Sequence, residues 1–118
     1  MKRDLETIRD ILIRLESYND KEITDKELIY HFDLLMEKHI TGVRLQDGSS
    51  LYFTQLNLTE EGYDLLTHIS NKTVWDSIKE KLNENNMTVN DVPIDIIKWL
   101  SKEIMKDMFG GSINGSYI

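Results

Sequence analysis

The sequence predicts an α+β protein, built as a winged-helix-like domain with a C-terminal helical extension. Three patterns predict it: an amphipathic N-terminal segment, a second amphipathic segment followed at once by two short strands around Asp47-Gly48, and three further helical segments. A helix running directly into a β-hairpin is the core of a winged-helix domain, where that helix is the recognition helix and the hairpin is the wing. A generic α+β domain with no relation to DNA is the alternative.

Composition limits the classes of protein that this chain can belong to. Its 118 residues fit one domain, which we place at 1–109. The absence of cysteine excludes disulfide scaffolds and thiolate chemistry. No apolar run approaches the roughly 20 residues of a membrane helix. The opening Met1-Lys2-Arg3-Asp4 turns acidic and amphipathic at once, unlike a signal peptide, so we expect a cytoplasmic protein.

The first two helices follow from apolar spacing. Residues 4–17 carry apolar side chains at steps of three and four, which predicts a helix with one apolar stripe. Residues 25–39 do the same, with Thr24 and Glu27 fitting a capping box. Only residues 19–23 are available between them for the extra helix of a full helix-turn-helix. Either that helix is vestigial or a short β-strand takes its place.

Residues 42–46 and about 51–57 predict a β-hairpin, for which two registers can be argued. A two-residue loop pairs Val43 with Tyr52. A three-residue loop, Gln46-Asp47-Gly48, pairs Val43 with Leu51 and places four apolar side chains on one face: Val43, Leu45, Leu51 and Phe53. Because burial of one face fixes register, we predict the three-residue loop.

Three helices complete the prediction. Thr59 caps a helix over roughly 60–69, and Asn71 or Thr73 begins another that ends near residue 84. Asp91 caps the last helix, which tolerates Pro93 in its first turn and runs to about Met108. Gly110-Gly111 ends that helix, and residues 110–118 are expected to form a flexible tail.

Four blocks of the sequence resemble an uncharacterised family found in phages and prophages, usually described as a domain of unknown function. Its members open with Met-Lys-Arg-Asp, as this chain does. The further blocks are similar to the family's Tyr-His-x-x-Leu-Leu, Leu-Thr-x-x-Gly-His and Val-Trp-x-x-x-Lys segments, and they stand at residues 27–35, 58–62 and 74–79. The resemblance spans most of residues 1–100. It implies a winged-helix-like fold, an origin in a phage or prophage, and no established activity.

The chain departs from the family pattern at two places. Tyr63 stands where members usually have His, which argues against a catalytic or metal-binding role for that position. The segment 18–26 is shorter than in many members, which argues against an intact helix-turn-helix.

Catalytic and metal-binding patterns are weak. His31 and His39 lie eight residues apart and His68 lies on another helix, so no histidine pair has the close helical spacing of a zinc site. The paired carboxylates fall at predicted helix N-termini, where the helix dipole explains them. The sequence lacks a nucleophile elbow and a phosphate-binding glycine loop. We therefore expect no enzyme, no cofactor and no metal.

Binding to DNA or to a protein is the remaining class of function. The start of the second helix and the wing would contact DNA, through Lys26, Tyr30, His31 and Arg44. That predicted helix nevertheless has a net charge of −2, from two basic and four acidic side chains, which is a poor footprint for a duplex. The acidic surface would instead select a basic protein partner.

The last helix offers a second candidate surface, for a protein partner or a homodimer. Its apolar face is broader than one contact in a small domain requires, and we expect the interface residues to be Ile97, Leu100, Ile104, Met105 and Met108. The alternative is that this face, with the preceding helix, covers the domain core.

Overall fold

The computed structural model describes the backbone of residues 1–116 and the side chains of residues 1–110. Its architecture is α+β, which confirms the predicted class at that level. Five α-helices and one two-stranded antiparallel hairpin occur in this part of the chain: α1 (Leu5–Ile13), α2 (Lys26–Leu35), β1 (Ile40–Asp47), β2 (Ser50–Leu58), α3 (Glu60–Ile69), α4 (Lys72–Asn83) and α5 (Ile94–Ser116). Two 3-10 helices, Leu15–Tyr18 and Val89–Asp91, join them.

The chain divides into two compact units, a first unit over Met1–Leu66 and a second over Thr67–Ile118. The core of the first unit comes from α1, the link before α2, α2 itself, the hairpin and the beginning of α3. The core of the second comes from the end of α3, from α4 and α5 and from the residues between them. The single domain over 1–109 stays a prediction.

Helix α1 is shorter than predicted. It ends at Ile13, and the chain then tightens into the 3-10 helix Leu15–Tyr18, so the predicted helix over 4–17 is two elements. Asp4 caps α1, because its carboxylate accepts a hydrogen bond from the amide of Glu6.

Helix α2 begins and ends differently from the prediction. The N-cap is Asp25 and not Thr24, since the Asp25 carboxylate accepts from the amides of Glu27 and Leu28. The helix ends at Leu35 and not at residue 39, because the amides of Glu37 and Lys38 donate to carbonyl oxygens three residues back and form turns in place of α-helical bonds.

The hairpin has neither predicted register. Asp47 lies opposite Ser50, so the loop has two residues, Gly48 and Ser49. Gly48 has a φ of 63° and Ser49 has no positive φ, which agrees with a type II′ turn, where glycine occupies the first central position. The predicted three-residue loop is therefore wrong.

The prediction that four apolar side chains of the hairpin share one face is wrong for the same reason. Val43 and Leu45 are exposed, whereas Leu51 and Phe53 lie on the other face and are buried. The ring of Phe53 stacks on that of Phe32 from α2, with centroids 4.7 Å apart. The inward face of the hairpin thus packs on α2.

A β-bulge resets the apolar alternation along β2. The register shifts between Thr41 and Val43, and on β2 this shift falls at Gln55, which has a positive φ of 56°. The inward position consequently moves to Leu56. Gly42 lies across from the bulge, where a Cβ would come within 2.8 Å of the Leu56 side chain and 3.2 Å of the Thr54 carbonyl oxygen, so a larger residue here requires these neighbours to shift.

The link between α1 and α2 runs along the other edge of β2. Asn19 forms a bridge with Phe53 and Glu22 forms one with Tyr52. The Ile23 amide donates to the carbonyl of Leu51 at 2.8 Å. Of the two alternatives for this segment, a short strand-like stretch is the one found.

In the second unit, α4 packs on α5. Of the two predicted beginnings of α4, Asn71 is the one found, since its side chain accepts from the amide of Val74. The predicted cap at Asp91 is wrong, because that carboxylate accepts from Thr88 and closes a capping box on the 3-10 helix instead. Helix α5 was predicted to end at Gly110-Gly111. Its backbone is non-helical at Gly110, with a φ of 68°, but the helix extends to Ser116. The predicted flexible tail falls largely on residues outside the described part of the chain, namely 117–118 and the side chains of 111–116.

Candidate functional site

The α2–hairpin surface is the place where the predicted DNA-contacting residues can be tested for accessibility. Lys26 is exposed in the first turn of α2, and Tyr30, one turn further on, is half-buried. Arg44 is exposed on β1. These three side chains have surface that a ligand could contact.

His31 has no such surface. It is completely buried, at 0% exposure. Its Nε2 accepts a hydrogen bond from the backbone amide of Asp4 at 2.9 Å, so Nδ1 carries the proton and donates to the carbonyl oxygen of Glu27 at 2.7 Å. The prediction that His31 contacts DNA is therefore wrong, because the ring is buried, with Nε2 joining α2 to the N-cap of α1 and Nδ1 bonded within α2. The position of His31 in the sequence, directly before Phe32, did not distinguish a side chain bonded inside the protein from one on its surface.

Arg44 is already paired. Its Nε lies 3.1 Å from the carboxylate of Asp33 on α2, and Nη1 lies 3.5 Å from the side-chain oxygen of Gln46. Both charged side chains remain partly solvated, so the ion pair contributes little stability. The negative charge of Asp33 nevertheless offsets the positive charge of Arg44, which is the one basic side chain of the hairpin. A phosphate would have to compete with Asp33 for this guanidinium.

The outward face of the hairpin carries apolar side chains that sequence reasoning placed in the core. We call this the outer face: Val43 and Leu45 on β1, with Thr54 and Tyr52 opposite them on β2. Val43 is 41% exposed and Leu45 is 49% exposed. Tyr52 and Thr54 are half-buried. The signal that could have revealed this face is Gly48-Ser49, because glycine at the first central position is typical of a two-residue type II′ turn.

The first unit also holds a groove of about 770 Å³ between the end of α1, the following 3-10 helix and the end of β2. Its walls are largely leucine side chains, and its charged groups are Arg14 and Glu16. Arg14 is bound by Asp10, whose hydrogen bond raises the Arg14 pKa further above its ordinary value. Burial raises the pKa of neighbouring Tyr18, whose hydroxyl accepts from Arg14. Neither perturbation makes an acid or base for catalysis near neutral pH.

The described side chains include no group of three or more His, Asp or Glu that could hold a metal ion. Among the helices of residues 1–116, none combines the length and the apolar character that crossing a membrane requires.

The predicted interface residues of α5 divide into core and surface. Ile97 and Ile104 are buried in the second unit, so their assignment to a partner surface is wrong. Leu100 and Met105 are half-buried, and Met108 is exposed. The larger exposed apolar side chains of α5 include Ile96, Trp99 and Phe109, which lie off the predicted stripe.

The fold defines a small acidic α+β protein with a helix-flanked β-hairpin and a helical second unit. The chain belongs to the DUF2513 family of hypothetical proteins, whose family profile matches residues 2–88. It is 33% identical over 121 residues to an uncharacterized protein of Haemophilus influenzae, an alignment that covers 92% of this chain and 98% of that protein. No solved structure matches. The resemblance to a family of unknown function is confirmed, and its phage association stays a prediction.

Proposed function

We propose that the first unit is a winged-helix-like module that binds a protein partner through its hairpin. The order of helix α1, strand-like link, helix α2 and hairpin supports this winged-helix-like reading, with the link in place of the missing helix. A winged-helix-like fold does not imply DNA binding, because function depends on the site and not on the fold. We propose further a cytoplasmic, non-enzymatic protein of phage or prophage origin, the last on its Met1-Lys2-Arg3-Asp4 opening.

One observation carries the proposal: the outer face of the wing is apolar where a DNA-binding wing needs cations. Val43 and Leu45 project from β1 beside Tyr52, while Arg44 turns toward α2 and pairs with Asp33. Exposed aliphatic side chains grouped on one face are typical of protein contacts. Phosphates are bound by free Lys and Arg side chains instead.

Charge identifies the kind of partner. The first unit holds 8 basic and 14 acidic side chains, a net charge of −6 with His neutral. Acidic groups flank the hairpin on two sides: Glu22 lies on the link that borders β2, and Asp47 lies at the turn. An apolar centre with an acidic rim is complementary to a partner segment that carries apolar side chains between Lys and Arg.

The test uses neighbouring residues of β1 that face opposite ways. A photo-crosslinking amino acid replaces Leu45 on the outer face or, as the matched control, Gln46 on the inward face. In the bacterial host, we expect one protein to be crosslinked from position 45 and not from 46. Substituting Glu22 and Asp47 by Gln and Asn should weaken that crosslink. Equal labelling from both positions, or none from 45, would contradict the proposal.

DNA binding is the second candidate, favoured by the exposed Lys26 and the half-exposed Tyr30 one turn apart at the beginning of α2. The experiment is binding to mixed duplex DNA at low and moderate salt. The protein-partner proposal expects no binding even at low salt. Salt-sensitive binding that Lys26→Ala weakens and Lys81→Ala leaves unchanged would establish the DNA candidate, and the salt slope would give the number of phosphate contacts.

A further inference from the structure

The solvent-facing side of α5 carries four side chains in one line. Asp95, Trp99, Lys102 and Lys106 follow one another at steps of four, three and four residues, which places them on one stripe of the helix. We call this the α5 stripe. All four residues are exposed. The opposite side of α5 is the core side, where Ile97 is buried.

The α5 stripe has an apolar centre. Trp99 is 57% exposed, and Ile96, one turn before it, is 42% exposed. Within the described residues, the side chains of the α5 stripe make no hydrogen bond, ion pair or ring contact with the rest of the chain. A tryptophan on a solvent-facing stripe is a side chain typical of the centre of protein interfaces.

The charges along the α5 stripe are complementary to those of a second copy that runs in the opposite direction. Read forward it is acid, tryptophan, base, base. In an antiparallel helix pair with a twofold axis between Leu100 and Ser101, Asp95 lies opposite the partner's Lys106, and Trp99 lies opposite the partner's Lys102. A twofold axis repeats both contacts. The pair therefore gains two ion pairs and two cation–π contacts over about 16 Å of helix. A parallel pair would instead place Lys102 and Lys106 beside their own copies.

We propose that the protein forms a homodimer through antiparallel pairing of α5 with α5 of a second copy. Net charge favours this unit over the other as the contact. The second unit has 6 basic and 7 acidic side chains, a net charge of −1, whereas the first unit has −6. A contact between two first units would bring −6 against −6 at short range, whereas a contact between two second units brings only −1 against −1. The proposal is independent of the partner of the hairpin.

The experiment is a charge exchange read by sedimentation velocity over a range of protein concentrations. The intact chain should show a concentration-dependent monomer–dimer equilibrium. Asp95→Lys and Lys106→Asp should each raise the dimer Kd by at least threefold, because each places like charges opposite one another. The double variant D95K/K106D should return the Kd to within twofold of the original, because the exchanged pair is again opposite in sign.

Trp99→Ala should raise the Kd by tenfold or more. Glu80→Lys, which makes the same charge change as Asp95→Lys at an exposed position of α4, should leave it unchanged. The circular dichroism spectrum of each variant verifies that it is folded, and all five variants lie on the surface, so folding is preserved. A chain that stays monomeric at every concentration overturns the proposal. So does a dimer that Trp99→Ala leaves intact, or one in which the two charge changes add and do not compensate.

Discussion

The two units of the molecule share apolar packing and differ in how hydrogen bonds join their segments. In the first unit, polar bonds join segments far apart in the chain: the Asp4 amide donates to His31, and the Leu56 amide donates to the side chain of Asn19, 37 residues away. In the second unit, α4 and α5 pack apolar side chains around Trp75. Both units have a buried apolar core, and in the second the Ser101 hydroxyl also donates to the carbonyl oxygen of His68 at 2.7 Å. The first unit thus adds backbone bonds between distant segments and the hairpin to its apolar packing. The two should respond differently to the same kind of substitution.

The largest expected effect tests the packing of the second unit. Trp75→Ala should lower the free energy of unfolding by about 3 to 5 kcal/mol, because it removes a large, buried ring and leaves a cavity. Chemical denaturation measures the effect. Trp99→Ala at a low protein concentration, where the chain is monomeric, is the control and should change the free energy of unfolding by less than about 0.5 kcal/mol. Similar losses for the two tryptophans would contradict the packing described for α5.

The next effect tests the close backbone approach in the first unit. At Gly62, an added Cβ would overlap the carbonyl oxygen of His39, which is backbone and cannot rotate away. Gly62→Ala should lower the free energy of unfolding by about 3 kcal/mol. Gly48→Ala meets no atom within 4 Å but has a φ of 63°, so it should lose only about 1 kcal/mol. The reverse order of the two losses would show that α3 does not approach the backbone of His39 in this way.

A smaller effect isolates a single polar bond of the first unit. Asn19→Ala leaves the Leu56 amide without its 2.9 Å acceptor at the β-bulge, and the free energy of unfolding should fall by about 2 kcal/mol. Asn57→Ala, which removes an exposed side-chain bond on the same strand, should cost less than about 0.5 kcal/mol. Hydrogen exchange at the Leu56 amide gives the direct reading: it should accelerate in the first variant and not in the second.

The smallest effect concerns alkaline pH. Burial raises the pKa of Tyr18 in the folded protein above its ordinary value of 10, because the ionised ring would lose solvation beside Phe32. Its contribution to stability is therefore present below about pH 10 and is lost as pH rises through the folded pKa. Tyr18→Phe should make the decline in stability between pH 9 and 11 shallower. An identical pH profile for the two proteins would contradict the assignment.

Local signals predicted much of the fold and little of the surface. Thr59 caps α3 and Asn71 caps α4 as expected, because a capping bond is made within three or four residues. The hairpin register was missed because both predicted loops contain Asp47-Gly48, whereas the strands close through Gly48 and Ser49. The bulge at Gln55 has a positive φ that is uncommon outside glycine, so the residue type did not indicate it.

Whether a predicted site residue can bind a partner depends on its burial, and the periodicity of a sequence defines burial only loosely. His31 was placed on a binding surface although Asp4, 27 residues earlier, uses it as an acceptor. Ile97 and Ile104 were assigned to a partner surface although they fill the second unit. The pairing of Arg44 with Asp33 joins residues on two elements, and no spacing rule predicts it.

The strand-like link also has a consequence for the order in which the chain folds. The hairpin closes through two residues, whereas the link reaches β2 only after α2 and β1 have been laid down between them. Since short loops close with a smaller entropy loss and faster than long ones, we expect the hairpin to form first and the link to dock last. Until it docks, β2 presents an open edge to other chains. Aggregation during refolding should therefore increase when the link is weakened, even in variants whose final structure is intact.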